Sequence, residues 1–324
     1  MRAVVCRELT GVGGLEYVSD WPEPQAGPGE VVVEVKAAAL NFPDLLMIQG
    51  LYQERPPLPF VVGTEMSGVV TAVGEGVSHL SVGDRVVSAC GRTLAERVVA
   101  KAGLVIPAPR ALDFPSAAGI CITYFTTMHA YRQRAQLRPG ETVLVLGAAG
   151  GVGTTAVELG KQFGATVIAA AGSDAKLELV RRLGADHVIN YSTQDLRERV
   201  KDITGGKGVD VVYDPVGGAL AEPALRSMAW NGRYLVIGFA SGEIPKLPFN
   251  LPLLKSCQVV GVDWGGFAGR HPQAGRAVTD AVLALYAQGR LTDPPLAHYP
   301  LERTADAIAD LSARRIAGKC VIGM

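Results

Sequence analysis

The chain has 324 residues, 48% of them hydrophobic and 19% charged, and its 31 basic and 31 acidic side chains give a formal net charge of zero. That length exceeds a typical single core and predicts two domains, while the neutral balance excludes a broad electrostatic footprint for nucleic acid or an anionic membrane. The five cysteines, Cys6, Cys90, Cys121, Cys257 and Cys320, stand far apart with no CxxC pair, so neither a disulfide framework nor a sequence-local zinc site is expected.

The amino terminus, MRAVVCRELTGVGG, lacks an apolar core of signal-peptide length, and no apolar run is long enough to span a bilayer. A cytoplasmic, reduced protein is the expectation. Residues 1 to about 110 read as short strands. Glu30–Lys36 is β-branched and follows Pro28-Gly29, Gly68–Gly74 is closed by further glycine, and Ser81–Val87 supplies a turn and another strand. Such spacing predicts a compact antiparallel barrel.

From about Ser116 the texture changes. Val143–Leu146, Thr166–Ala170, His187–Ile189, Asp210–Tyr213 and Tyr234–Ile237 are apolar strands, separated by helical patterns at Thr154–Phe163, Ala175–Leu183 and Asp195–Thr204. The alternation predicts right-handed crossovers and a parallel sheet. Another strand is expected near Val259-Val260. A helix over Ala277–Gln288, a turn at Asp293-Pro294-Pro295, a helix over Glu302–Ala313 and a strand over Gly318–Ile322 complete the chain.

Gly147-Ala148-Ala149-Gly150-Gly151-Val152-Gly153 lies between a predicted strand and a predicted helix. Read at Ala148, Gly150 and Gly153 it is G-x-G-x-x-G with alanine at the first glycine. Missing side chains let backbone approach a pyrophosphate, and the helix start aims free N–H groups and the positive dipole end at it. Glycines also make a tight turn with no ligand; the surrounding strand–helix–strand pattern favours a dinucleotide. NAD sites place a carboxylate on the second strand's tip, ~20 residues after the loop. Here the tip is Ala171 and Gly172, followed by Ser173 and Lys176, whose hydroxyl and ammonium favour a 2′-phosphate. Asp174 is the counter-signal, though it can cap the next helix. The expected cofactor is NADP(H), with Lys176 as a plain solvated lysine the alternative.

Asn41-Phe42-Pro43-Asp44 with Gly50-Leu51-Tyr52, Gly63-Thr64-Glu65 and Gly83-Asp84-Arg85-Val86 precede the glycine loop in that order. Leu183–Tyr191, Val211–Gly218, Gly232-Arg233, Ile237-Gly238-Phe239 and Gly318-Lys319 follow it. Together they resemble the medium-chain dehydrogenase/reductase superfamily, specifically the zinc-free quinone oxidoreductases similar to zeta-crystallin. The resemblance implies an α/β fold: a GroES-like β-barrel catalytic domain from residues 1–122 and 266–324, and an inserted Rossmann doubly wound parallel-sheet domain over 123–265. It also implies a cleft where the two meet and a homodimer formed through Rossmann edge strands.

Zinc-dependent relatives carry cysteine in place of Asn41 and histidine in place of Thr64, so no metal is expected, and Glu65 reads as structural. The resemblance places Gly150, Gly151, Val152 and Gly153 on the pyrophosphate and Gly172, Ser173, Lys176 and Tyr191 around the 2′-phosphate. It places Phe239, Ala240, Ser241, Val262 and Asp263 along the nicotinamide. Asn41, Phe42 and Asp44 border the ring, with Thr126 near it and Arg314 reaching back from the carboxyl-terminal segment. His129, where some relatives have tyrosine, reads as a helix histidine rather than a proton donor. Trp264 is either an aromatic wall for the acceptor or a buried packing residue.

The expected reaction is hydride transfer from NADPH to a quinone or similar conjugated carbonyl, with the acceptor oxygen held by the Asn41 amide N–H or the Tyr52 hydroxyl. Leu46 and Asp263 stand where some bacterial quinone reductases have tyrosine and arginine, which bears on the acceptor pocket. A 2-enoyl thioester or enal reductase is the nearest alternative, though no cationic cluster for coenzyme A stands out. A non-catalytic NADPH-binding protein is the alternative from another class.

Overall fold

The computed structural model describes residues 1–293 and 295–324, so Pro294 of the expected Asp293-Pro294-Pro295 turn lies outside the described residues. In the amino-terminal part the strands are β1 (Ala3–Cys6), β2 (Leu15–Val18), β3 (Glu30–Leu40), β4 (Phe60–Val61), β5 (Glu65–Val73), β6 (Arg85–Ser88), β7 (Arg97–Lys101) and β8 (Val105–Pro107). Helix α1 (Phe42–Met47) follows β3, and α2 (Phe114–Ala118) follows β8. The eleven-residue β3 organises this unit by pairing with both β5 and β7. Its side chains alternate between faces on either side of a register shift against β5 between Val35 and Ala37, and that shift exchanges the two faces. Val31, Val33 and Val35 enter the barrel core, whereas Ala37 and Ala39 face the other way and meet Ala118 of α2. Small residues on the outer face leave room for the helix.

Helix α3 (Ile120–His129) leads into the second unit and continues as a π-helical turn over Ala130–Ala135. The second unit's strands are β9 (Thr142–Val145), β10 (Thr166–Ala171), β11 (His187–Asn190), β12 (Val209–Asp214), β13 (Met228–Val236) and β14 (Gln258–Gly261). Between and after them lie α4 (Gly151–Gln162), α5 (Asp174–Arg182), α6 (Leu196–Ile203), α7 (Ala221–Arg226), α8 (Asn250–Lys255), α9 (Trp264–Arg270) and α10 (Pro272–Ala287). Every strand pair is parallel, in the order β11-β10-β9-β12-β13-β14. The central strands are apolar through their middles, as strands covered on both faces require, with polar residues such as Asp214 at their ends. Counted from β9 this is the doubly wound order 3-2-1-4-5-6, whose direction reverses between β9 and β12. Ligands bind outside the carboxyl ends of the strands at such a reversal.

The chain then returns to the first unit with β15 (Leu296–Pro300), α11 (Thr304–Ser312) and β16 (Lys319–Gly323). The barrel path is β15-β16-β3-β5-β6-β8, with β7 paired to β3, and β2-β1-β4 forms a second small sheet. β15 and β16 are parallel, unlike the other pairs of this unit, because α11 carries the chain back to the starting end before β16 begins.

The two units are Met1–Ile122 with Thr292–Met324, and Thr123–Leu291. Residues 266–291, which the sequence reading gives to the barrel, belong instead to the sheet unit. The packing explains why: Phe267 of α9 stacks on His129 at 4.2 Å, and Tyr286 of α10 meets Tyr124 edge-on at 5.4 Å. Among the described residues no helix is long and apolar enough to cross a membrane.

Candidate active site

In the sheet unit, β9 runs into the glycine loop and α4 begins at Gly151 with Gly150 as its cap. No side chain caps this twelve-residue helix and none in its first turn is acidic, so its positive end is left to backbone N–H groups. The glycines differ in what they permit. A Cβ on Gly153 would lie 2.3 Å from the Gly147 oxygen and 2.7 Å from Ala148 backbone, so the close packing of helix on loop requires glycine there. A Cβ on Gly150 would meet nothing nearer than the Gly147 oxygen at 3.4 Å. The fold itself can therefore accommodate a side chain at Gly150. Gly151 and Val152, on the first turn of α4, are half-buried.

The tip of β10 has the expected composition. A Cβ on Gly172 would stand 3.2 Å from the Tyr191 ring, so Tyr191 lies against this residue. The Ser173 hydroxyl accepts from the Lys176 backbone N–H at 3.4 Å and caps α5. Asp174 accepts from the Asn190 side chain at 2.8 Å, which ties the one nearby carboxylate to the edge strand β11.

Across the sheet reversal, Asp214 ends β12 in a buried position and organises the following loops. Its Oδ1 accepts from the Val216 and Gly217 backbone N–H groups at 2.8 Å each, and its Oδ2 accepts from the Tyr234 hydroxyl. Burial raises its carboxyl above the usual range, against the opposing pull of those three donors. The Pro215 and Val216 carbonyls then accept from Ala240 N and Ser241 N at 3.0 and 2.9 Å. Phe239, Ala240 and Ser241 are thus held in the loop after β13. Val262 donates to the Val236 carbonyl at 3.0 Å, and Asp263 caps α9 by accepting from Gly266 N at 2.9 Å.

His129 is 2% exposed, and burial holds its imidazole below the ordinary range, with Arg134 adding to the effect. It packs against Phe267 and Trp264, a core role. Trp264 is half-buried, with Phe125 at 5.9 Å. Thr126, on α3, is half-buried.

The barrel unit holds a different construction. Asn41, Asp44, Glu65 and Lys319 are all buried, with exposures of 7, 0, 0 and 4%. The Asn41 backbone N–H donates to Asp44 Oδ2 at 2.7 Å, half of a capping box that starts α1. The Asn41 amide nitrogen donates to Glu65 Oε1 at 2.9 Å and to Thr64 Oγ1 at 3.0 Å, and the Thr64 hydroxyl donates on to Asp44 Oδ2 at 3.1 Å. The Lys319 ammonium donates to the Leu40 carbonyl at 3.1 Å, to Glu65 Oε1 at 2.8 Å and to Asn41 Oδ1. Glu65 Oε2 accepts from Ile122 N at 2.9 Å. Burial pushes the Asp44 carboxyl up to about 7, against the pull of the Asn41 N–H, the Lys319 charge and the Thr64 hydroxyl.

The sequence reading offers the Asn41 amide N–H to an acceptor oxygen. In the structure that nitrogen meets Glu65 and Thr64, with the Ala39 carbonyl at 3.4 Å. Tyr52 and Phe42 are half-buried near it in sequence. Arg314 is exposed, in a left-handed turn with φ of 55° after α11. Sequence reasoning missed Lys319 and Asp214. A lysine inside the buried closing strand was a signal for the first; a carboxylate at a strand's carboxyl end beside the sheet reversal was one for the second. Among the described residues no three His, Cys, Asp or Glu side chains converge as a metal-holding set.

Comparison with known proteins places these features. Residues 27–110 match the family model for the alcohol dehydrogenase GroES-like domain, and residues 151–283 match that for zinc-binding dehydrogenases. The quinone oxidoreductase-like protein 2 homolog of Nematostella vectensis is 39% identical over 99% of this chain and 88% of its own length. The solved structure of Escherichia coli quinone oxidoreductase complexed with NADPH superposes with a TM-score of 0.90 at 31% identity, covering both chains fully. The CurK enoyl reductase superposes with a TM-score of 0.89 at 26% identity, over 100% of this chain and 99% of its own. The chain belongs to the quinone oxidoreductase family of medium-chain dehydrogenases/reductases, and it is an oxidoreductase.

Proposed function

We propose that the protein is an NADPH-dependent, metal-independent reductase of quinones or similarly conjugated carbonyl compounds. The observation that carries this reading is the uncapped start of α4 beside Gly150, where the fold tolerates a side chain but has none. Bound there, NADPH supplies a hydride to the acceptor, whose negative charge spreads onto an oxygen. Gly150, Gly151, Val152 and Gly153 bind the pyrophosphate through backbone N–H groups. Gly172, Ser173, Lys176 and Tyr191 receive the 2′-phosphate, with Asp174 diverted to Asn190. Phe239, Ala240, Ser241, Val262 and Asp263 line the nicotinamide. Asn41, Phe42, Asp44, Thr126 and Arg314 complete the surround in this reading.

With the Asn41 amide committed to Glu65 and Thr64, the hydrogen bond to the acceptor oxygen falls to the Tyr52 hydroxyl. Lys319 supplies the positive charge of the barrel network from within the chain, which supports a reaction without zinc. The likeness to the CurK enoyl reductase supports a second acceptor class, a 2-enoyl thioester or enal. NADPH oxidation measured side by side with 1,2-naphthoquinone, an enal and crotonyl-CoA tests the proposal. Turnover with the quinone supports it, preference for crotonyl-CoA moves it to the second class, and no turnover with any acceptor despite tight NADPH binding refutes catalysis.

A homodimer in the cytoplasm belongs to the same proposal. Strand β14 is an edge of the parallel sheet, and Val259 on it is exposed. Nearby in sequence Phe249 is 91% and Leu253 78% exposed, a surface that suits burial against a second copy.

A further inference from the structure

Lys319 opens β16 with its ammonium buried, and its three N–H donors meet three acceptors: the Leu40 carbonyl, Asn41 Oδ1 and Glu65 Oε1. With every donor engaged, it holds no hydrogen ready for a substrate. Its value lies in what it fixes. The two ends of an amide are nearly the same shape, so sterics alone do not choose between an Asn41 side chain and its flipped form. The ammonium can face only the oxygen and the Glu65 carboxylate only the nitrogen, so the pair locks one orientation. That orientation aims the amide nitrogen at Thr64, whose hydroxyl holds Asp44 at the start of α1. The stem of Lys319 reaches this point across Gly119, where a Cβ would stand 2.8 Å from Lys319 Cγ. Two residues 200 positions apart in sequence are therefore matched, a bare glycine and the lysine that crosses it.

We infer that Lys319 is a positioning residue for reduction, acting through Asn41: its ammonium sets the Asn41 amide and, through Thr64 and Asp44, the first turn of α1. This rests on the proposed reading that Asn41 and Asp44 border the reacting ring. Removing the ammonium leaves Glu65 without its cation and the Asn41 oxygen without its donor, so the amide is held from one end only. The expected consequence is a slower transfer step with little change in coenzyme binding, because the pyrophosphate cradle lies on other residues.

The test uses the full-length protein and the variants Lys319→Met, Lys319→Arg, Asn41→Ala and the Met/Ala double variant. Three quantities are read: NADPH Kd by fluorescence titration, the single-turnover rate from bound NADPH to 1,2-naphthoquinone, and the thermal midpoint. Lys319→Met is expected to slow single turnover about tenfold or more with Kd within about threefold, while Lys319→Arg, which keeps the charge, recovers most of the rate. The double variant is expected to be no slower than the slower single variant, since residues acting as one unit are not additive. Single-turnover losses that multiply in the double variant, or a Lys319→Met rate within about twofold of the parent, overturn the inference. Should Lys319→Met fail to fold, Gly119→Ala displaces the stem while keeping the charge. Its rate is expected to fall with the thermal midpoint held, and an unchanged rate overturns the inference equally. A parent protein that reduces no acceptor refutes the proposed function instead, which separates the two failures.

Discussion

The glycine loop of the sheet unit and the polar network of the barrel unit are built from opposite materials. The loop removes side chains and starts a helix with no side-chain cap and no acidic residue in its first turn, which in the proposed reading suits an anion. The network brings charged and polar side chains from distant parts of the chain into burial and satisfies nearly all of them against each other; Asp44 Oδ1 has no hydrogen-bond partner. One region, in the proposed reading, is finished by the coenzyme; the other is nearly satisfied from within the chain. The difference teaches where each is vulnerable: the network through charge balance, the loop through added volume.

The sharpest way to break this comparison is to unbalance the network. Glu65→Leu would leave the Lys319 ammonium buried without its carboxylate, and breaking a buried ion pair in this way costs about 3–5 kcal/mol. Equilibrium urea unfolding of the barrel should show that loss, and Glu65→Leu combined with Lys319→Met should restore most of it. A loss below about 1 kcal/mol would mean the pair is no more than a surface-type contact.

The network's second carboxyl gives a pH dependence of defined sign. The fold raises Asp44 from 3.8 to about 7, so between those values the folded protein binds more protons than the unfolded chain. Asp44's contribution to stability is therefore complete below about pH 4 and is lost as pH rises through 7, by on the order of 4 kcal/mol across the window. Asp44→Asn keeps an oxygen for the Asn41 N–H and Thr64 hydroxyl while removing the titration. Its stability relative to the parent should improve from pH 5 to pH 8. A parallel pair of stability curves would remove Asp44 from the account.

The loop responds to volume. Gly153→Ala places a Cβ against fixed backbone, and overpacking of this kind costs about 1–3 kcal/mol along with the coenzyme affinity. Gly150→Ala should behave differently. With only the Gly147 oxygen near its Cβ, at 3.4 Å, stability should stay within about 0.5 kcal/mol of the parent, while NADPH Kd rises about tenfold because the methyl occupies the guest's place. Thermal unfolding and fluorescence titration of the two variants separate a glycine kept for packing from one kept for binding.

The same contrast explains what the sequence makes legible. The loop is contiguous: strand, glycines and helix lie within some twenty residues, so local periodicity and the absent carboxylate at Ala171-Gly172 suffice to read it. The parallel sheet is legible for the same reason, through strands buried on both faces. The barrel network is not, because Lys319 and Asn41 lie 278 positions apart and only the antiparallel pairing of β16 with β3 brings them together. The membership of residues 266–291 in the sheet unit is hidden for a related reason. Helix α9 contains Gly265, Gly266 and Gly269, poor helix formers, and it is held by the Asp263 cap and the Phe267–His129 stack rather than by propensity. Tertiary contacts decide such segments.

The smallest expected effect sharpens the coenzyme choice at the tip of β10. Helix α5 carries three cations, Lys176 in its first turn and Arg181 and Arg182 in its last. Arg181 is paired with Glu178, and both it and Arg182 stand near the far end of the helix, whereas Lys176 follows directly on the Ser173 cap. Asp174, the carboxylate that would repel a phosphate or hold a ribose hydroxyl, is bonded to Asn190. Lys176→Ala should therefore weaken NADPH by about 1 kcal/mol, roughly fivefold in Kd, since a half-buried lysine on a phosphate is partly screened by solvent. NADH, lacking the phosphate, should bind the variant and the parent alike. Added salt should narrow the NADPH difference, because the interaction is between charges near the surface. Equal weakening of both coenzymes, or of neither, would make Lys176 the plain solvated lysine that its position on a helix's first turn equally allows.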